Sequence, residues 1–248
     1  MEVATPVTGR RPARVPARLG ALSMEQVGGI AALLLAAGYV ATMPLFAIVG
    51  APPAGTLARL EYHTTGTATW WAIVALSVLT DLLFVPVAVS LYAALRRFGQ
   101  PAMAVGTAFT LVFVVLDLAV LWPAKVAIIG LGQQYATTPQ DQRDLILAAA
   151  GYPAAVADSL LTSVYSILIL GVGLLVTSLV MLRSGTARMT AIVGVATGAL
   201  GIASVVETMV TGRFPVLVVL ASLLTIVWLV LVGWGLLRSW WAVAEPKG

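Results

Sequence analysis

Cysteine is absent from this chain of 248 residues, and histidine occurs only once, as His63. Without cysteine, the chain has no disulfide bond, no thiolate nucleophile and no cysteine-ligated metal. A single histidine also excludes the zinc sites of membrane hydrolases, because catalytic zinc usually needs three protein ligands rich in histidine. The sequence therefore predicts a protein that works without a metal or another cofactor.

Charge is also scarce. Charged residues make up 10% of the chain and hydrophobic residues 60%, and the mean hydropathy is +1.01. Soluble domains carry about a quarter charged residues, because their surface faces water. The net charge of +4 does not indicate nucleic-acid binding, because the basic residues lie beside apolar segments, where they act as topology signals. The composition predicts an integral membrane protein whose partner is the lipid bilayer.

Six apolar segments are long enough to cross a membrane, which takes about 20 helical residues. They cover residues 27–49, 70–95, 101–123, 155–182, 189–211 and 214–237. Between the third and fourth of them, a more polar stretch predicts a short amphipathic helix on the membrane surface. We predict an all-α bundle of six transmembrane helices over residues 23–238, preceded by a disordered basic arm (1–22) and followed by a short tail (239–248).

Lysine and arginine are distributed unevenly between the two sides of this predicted bundle. Ten of the 14 fall on the side of the termini: Arg10, Arg11, Arg14, Arg18, Arg96, Arg97, Arg183, Arg188, Arg238 and Lys247. The opposite side has Arg59, Lys125, Arg143 and Arg213. Because cytoplasmic connections carry an excess of Lys and Arg, we predict that both termini are cytoplasmic and that the protein lies in the cytoplasmic membrane of the cell.

Three acidic residues fall inside the predicted spans: Asp81, Asp117 and Glu207. An ionised side chain at the bilayer centre costs about 2.5–3.5 kcal/mol even on lenient scales. Each acid should therefore be protonated, paired or in contact with a wet cavity. Since all three are predicted in the outer half of the bundle, we expect them to line one cavity open to the outside. In this interpretation Asp81 carries the exchangeable proton, Asp117 is its ionised partner and Glu207 lies at the mouth.

Several polar and aromatic residues near these acids are candidates for binding a substrate: Ser77, Trp122, Lys125, Asp158 and Tyr165. Asp158 and Tyr165 belong to a polar stripe of the fourth predicted span, with Thr162 and Ser166, at positions i, i+4, i+7 and i+8. Each candidate also has a structural explanation. Lys125 could extend to the membrane interface, and a buried carboxyl group could be a protonated hydrogen-bonding group without a catalytic role.

Closely spaced glycines mark the fifth predicted span at Gly194, Gly198 and Gly201. Small residues at such spacing allow membrane helices to approach each other closely. This glycine face predicts tight helix packing, and it could also join two copies of the chain in a homo-oligomer.

Two short motifs and a glycine-rich stretch carry a resemblance: ALSVLTDLL at 75–83, MLRSGTAR at 181–188, and residues 192–202. In these stretches the chain resembles a family of bacterial membrane proteins with six transmembrane helices and no assigned activity. The proline that this family usually has in the second motif is missing. The resemblance implies six helices and a bacterial inner membrane, and it implies no reaction.

Three functions remain open at this stage. The leading hypothesis is a metal-independent acid–base enzyme acting on a lipophilic small molecule, similar in chemistry to small membrane terpene cyclases. A buried carboxylic acid can stay protonated and donate its proton, and aromatic rings can stabilise developing positive charge. The first alternative is a proton-coupled small-molecule transporter with Asp81 and Asp117 as a proton relay. The second is a non-catalytic membrane subunit or sensor whose acids are structural.

Overall fold

The computed structural model of this chain describes residues 22–51, 53, 55–64, 66–185, 187–211 and 216–238. Within these ranges the chain is almost entirely helical and contains no strand, so the predicted all-α fold class is confirmed. The predicted tail, the basic arm except for its last residue, and Arg213 lie outside the described residues.

Nine α-helices follow one another in the described ranges. The longer ones are α1 (Met24–Val49), α3 (Thr67–Leu116), α4 (Trp122–Thr137), α5 (Arg143–Asp158), α7 (Ile169–Ser184), α8 (Arg188–Thr211) and α9 (Val216–Leu237). The short ones are α2 (Thr56–Thr64) and α6 (Leu160–Ser163). Two π-helical segments, Asp117–Leu121 and Val164–Leu168, join α3 to α4 and α6 to α7.

Among the described residues, five continuous helical runs are long and apolar enough to cross a membrane: Met24–Val49, Thr67–Thr137, Leu160–Ser184, Arg188–Thr211 and Val216–Leu237. Large apolar side chains lie on their outer faces, including Ile48 (73% exposed) and Val210 (80% exposed). A surface of this kind suits lipid and not water. The chain therefore has the construction of a multi-pass membrane protein.

Helix α3 reverses direction at Gly99, whose backbone angles (φ 171°, ψ 70°) are not helical. The rings of Phe84 and Phe113 have centroids 5.4 Å apart, whereas a straight helix would separate these residues by about 44 Å. Pro101 follows the break and lacks the N–H that a continuous helix would use. The two arms of α3 therefore pack against each other, and they lie where the second and third spans are predicted.

Two of the predicted span boundaries do not coincide with the ends of helices. The helical run that contains the third predicted span continues beyond residue 123 to Thr137, and Pro123 lies inside this run, just after the first π-helical segment. The fourth predicted span starts at residue 155, which lies inside α5. Residues up to Asp158 belong to α5, and Ser159 has an extended backbone (ψ 137°) and caps α6 by accepting from the Leu161 N–H. The predicted stripe from Asp158 to Ser166 is therefore not on one helix.

The helices form a closely packed bundle in which α1 contacts α3 and α9, α3 contacts α7, and α8 contacts α7 and α9. The predicted glycine face of α8 lies inside this bundle. A Cβ added at Gly198 would be 2.6 Å from the carbonyl oxygen of Gly171, and one added at Gly194 would be 2.4 Å from the indole nitrogen of Trp228. Gly194 and Gly198 thus serve close packing within the chain, and a homo-oligomer through this face stays a prediction.

Candidate functional site

Asp81 lies in the first arm of α3 and is buried, with 4% of its surface exposed. Its Oδ2 accepts a 2.6 Å hydrogen bond from the indole Nε1–H of Trp122. Since Trp122 begins α4, this bond connects the first arm of α3 to the helix that follows its second arm. Ser77, one turn before Asp81, is also buried, and its carbonyl oxygen accepts from the hydroxyl of Thr80. The structure therefore brings Asp81 and the predicted substrate contact Trp122 together.

The two π-helical segments meet at the second acid. Asp117 is the first residue of one segment and Ser166 is the middle residue of the other. Ser166 donates a hydrogen bond of 2.5 Å to Oδ1 of Asp117. Pro123 lies shortly after the first segment, and its missing N–H removes one bond of the regular α-helical ladder there. Because π-helical turns occur frequently at functional sites, this meeting point marks Asp117 as a candidate functional residue.

Lys125 of α4 lies close to both acids. Its ammonium group is close enough to interact electrostatically with the carboxyl groups of Asp117 and Asp81. It also lies 5.0 Å from the ring centroid of Trp122 and 5.7 Å from that of Phe46. A carboxylate partner and aromatic faces offset the cost of removing an ammonium group from water. Lys125 is therefore part of the acid cluster and does not simply extend to the interface.

Tyr39 of α1 is a member of this cluster that the sequence analysis missed. Its phenol group interacts electrostatically with Asp81 and Asp117, and its ring centroid lies 6.3 Å from that of Phe84. Tyrosines of membrane helices concentrate at the interfaces, whereas Tyr39 lies well inside α1. That unusual depth is the signal in the sequence that could have identified it. We define the acid cluster as Tyr39, Asp81, Asp117, Trp122, Lys125 and Ser166.

The remaining predicted site residues have other surroundings. Asp158, the last residue of α5, forms an ion pair with Arg59 of α2. Glu207 of α8 is half-buried, and its Oε2 has no hydrogen-bond partner among the described residues. Tyr165 adjoins Ser166 in the second π-helical segment and is half-buried. Asp158 and Glu207 therefore do not share the contacts that define the acid cluster.

The short helix α2 packs against α4 and α5, close to this cluster. Its buried residues are Arg59, Leu60 and His63. The Nδ1 atom of His63 lies 2.7 Å from the carbonyl oxygen of Arg59, and the His63 ring centroid is 4.4 Å from that of Trp70. Burial lowers the pKa of His63 below its usual 6.5, and the charges of Lys125 and Arg59 lower it further, against the opposing effect of the backbone hydrogen bond. His63 is therefore neutral at pH 7.

A small cavity lies within the bundle, beside the ring of Phe84. Its volume of about 10 Å³ leaves room for about one water molecule. The residues that line it include Thr107, Thr110 and Thr177 and do not include Asp81 or Asp117. Asp81 and Asp117 accept hydrogen bonds from Trp122 and Ser166. The predicted cavity, lined by the acids and open to the outside, stays a prediction.

Within the described ranges, no group of three or more His, Asp or Glu side chains is placed to hold a metal ion. No protein-family model, no curated protein and no solved structure matches this chain.

Proposed function

We propose that this chain is a metal-independent membrane enzyme that acts on a lipophilic small molecule by acid–base chemistry similar to that of membrane terpene cyclases. The observation that carries the proposal is the acid cluster, in which two carboxyl groups and one ammonium group interact within membrane-spanning segments. Ionisable groups at such positions are costly and are usually functional.

The proposal includes six membrane crossings with both termini in the cytoplasm of a bacterial cell. The reversal of α3 at Gly99 supports the sixth crossing, because it divides one helical run into two antiparallel arms. The ten-to-four distribution of Lys and Arg supports the orientation. The motifs at 75–83 and 181–188 support membership of the bacterial six-helix family that the chain resembles.

In this proposal the two carboxyl groups have different roles. Lys125 follows Asp117 in sequence, just after the first π-helical segment, and in this proposal Asp117 is the carboxylate that it neutralises. Asp81 is then the acid that carries the exchangeable proton. Its Oδ2 accepts from Trp122, which leaves Oδ1 as the oxygen that holds the proton and donates it. Two carboxyl groups with different protonation states are the usual arrangement for an acid and its partner.

Aromatic side chains beside the acids favour a lipophilic substrate. Phe84 follows Asp81 by one helical turn, and its ring contacts those of Tyr39 and Phe113. Ring faces attract positive charge. A carbocation formed when Asp81 protonates a carbon–carbon double bond would be stabilised by these faces. It would then lose a proton from a neighbouring carbon to the Asp81 carboxylate, which gives an isomer of the substrate and restores the acid. The burial of Asp81 would limit capture of the cation by water.

The experiment compares the lipid extracts of cells that express the wild type, Asp81→Asn or Asp141→Asn, analysed by mass spectrometry. Asp141 is an exposed acid outside the cluster and provides the matched control. We expect the wild type and the control to convert a lipophilic compound into an isomer that is missing with Asp81→Asn. Identical extracts from all three proteins at equal expression would contradict the enzyme proposal.

A proton-coupled transporter is the second candidate, and one specific observation favours it. Helix α2 packs against α4, which carries Trp122 and Lys125, and it is joined to α5 by the ion pair of Arg59 with Asp158, as a gate would be. In this case proteoliposomes with a pH-sensitive dye inside should show proton uptake with the wild type and none with Asp81→Asn.

A protein that changes neither the lipid extract nor the internal pH would fit the third function, a non-catalytic membrane subunit or sensor.

A further inference from the structure

Buried hydrogen-bond donors without an acceptor surround the short helix α2. Three side-chain nitrogens are buried and have no hydrogen-bond partner within the described part of the chain: Nε of Arg59, Nε1 of Trp70 and Nε2 of Gln133. All three atoms are donors. Leaving a buried donor unpaired lowers the stability of the folded protein, so such atoms indicate a partner that is yet to bind. That partner must be an acceptor.

The three residues that carry these donors lie near His63. Its Nδ1 contacts the backbone carbonyl oxygen of Arg59 at 2.7 Å, and its ring centroid lies 4.4 Å from that of Trp70. A Cβ added at Gly132, the residue before Gln133, would lie 3.4 Å from the Cβ of His63. The donors therefore belong to three helices, α2, α3 and α4, that meet beside one side chain.

Positive charge is concentrated at the same place. Arg59 and Lys125 interact electrostatically with each other and with His63. The Nη2 atom of Arg59 already pairs with the carboxylate of Asp158. The side chain of Arg59 is 10% exposed and that of Asp158 is 53% exposed, so the arginine is fixed within the protein and the aspartate can move into solvent. The planar guanidinium group can bind two oxygens of one oxyanion.

We propose that a phosphate group binds beneath α2 and accepts hydrogen bonds from Arg59, Trp70 and Gln133. Phosphate offers several strong acceptor oxygens, which suits donors from three helices better than a single water molecule. Helix α2 lies between the end of α1 and the start of α3, and in the proposed topology this connection is at the depth of the lipid headgroups. The phosphate takes the place of the Asp158 carboxylate beside Arg59. This site adjoins the acid cluster at Lys125, and it does not depend on the proposed enzyme activity.

Thermal unfolding of the purified full-length protein in a maltoside detergent, which contains no phosphate, tests the proposal and identifies the source of the ligand. One comparison adds inorganic phosphate or chloride at equal ionic strength. The other adds a short-chain phosphatidylglycerol or a glycolipid of equal chain length. We expect the unfolding temperature to rise with phosphate or with phosphatidylglycerol, and not with chloride or the glycolipid. No rise with either phosphate compound would overturn the proposal.

Three variants connect that response to the named donors. Trp70→Phe removes one N–H and keeps a ring against His63, while Gln133→Leu removes the amide. Each should weaken the apparent Kd for the active phosphate compound about tenfold. Arg143→Gln is the control, because Arg143 bonds to the carbonyl oxygen of Thr138 and contacts Tyr135, and it should leave the Kd unchanged. An unchanged Kd in Trp70→Phe or in Gln133→Leu, whichever variant folds, would contradict the site.

Discussion

Ser166 donates a 2.5 Å hydrogen bond to Asp117, and each of these residues lies in a π-helical segment of a different membrane-spanning run. A π-helical turn contains one more residue than an α-helical turn, so it changes which side chains of the following helix face the bundle. The two π-helical segments therefore orient Asp117 and Ser166 toward each other, and this contact places Asp117 in the acid cluster.

The first prediction concerns this contact. Ser166→Ala leaves Oδ1 of Asp117 without its donor in a buried position, so we expect a loss of about 1–3 kcal/mol in the free energy of unfolding. Ser163→Ala changes a half-buried serine just before the same π-helical segment, and we expect a change within about 0.5 kcal/mol. Reversible unfolding in mixed micelles measures both values. Equal effects of the two substitutions would show that the hydrogen bond does not stabilise the bundle.

The second prediction concerns Trp122, which donates its N–H to Asp81 and presents its ring to Lys125. Trp122→Phe keeps an aromatic ring and removes the donor, so it should cost about 1–3 kcal/mol. It should also change the product profile in the lipid-extract assay. Trp234→Phe, at an exposed position in α9, is the matched control and should change neither quantity. If Trp122 acts only through packing, Trp122→Phe will have the same product profile as the wild type, and that result would contradict the prediction.

The third prediction concerns pH. Because the pKa of His63 is lowered in the folded protein, the unfolded state binds the proton more tightly. At pH above about 6.5 the histidine is neutral in both states and has no effect. As the pH falls below that value, protonation favours the unfolded state and stability decreases. Unfolding temperatures measured from pH 8 to pH 5 should fall less steeply for His63→Gln than for the wild type. Parallel curves would contradict the prediction.

The fourth prediction concerns topology. Reporter fusions after residues 97 and 183 should give a cytoplasmic signal, and fusions after residues 59 and 142 should give the opposite one. The Lys and Arg distribution is the reason for the orientation, and the reversal at Gly99 is the reason for a cytoplasmic connection near residue 97. The same signal at residue 97 as at residues 59 and 142 would mean that the two arms of α3 do not both cross the membrane.

The all-α fold could be predicted because lipid imposes one simple requirement, an apolar helix of sufficient length. The break near Gly99 was also visible, because a glycine and the nearby Pro101 interrupt the apolar pattern. The boundaries at 123 and 155 could not be placed. The boundary at 123 depends on whether the helix ends at Pro123 or continues through it. The boundary at 155 depends on the cap that Ser159 forms at the start of α6.

The acids stood out in the sequence, but their partners did not. A charge in an apolar span is conspicuous whatever the fold, whereas the bond from Trp122 to Asp81 depends on how the arms of α3 and helix α4 are turned about their axes. The ion pair of Asp158 with Arg59 joins residues 99 positions apart, and no local pattern encodes it. Tyr39 joins the cluster only because α1 packs against α3.

The role of Asp81 as the proton donor is the central claim. Asn has nearly the shape of Asp, its side-chain oxygen can still accept from Trp122, and it cannot release a proton. Asp81→Asn should therefore unfold like the wild type while the lipid product is lost. An Asp81 with only a structural role predicts the opposite, because Asn would then be tolerated and only an apolar residue would cause damage. The decisive measurement determines stability and product formation of Asp81→Asn side by side. Native stability without product is the predicted result, and full product formation would contradict the account.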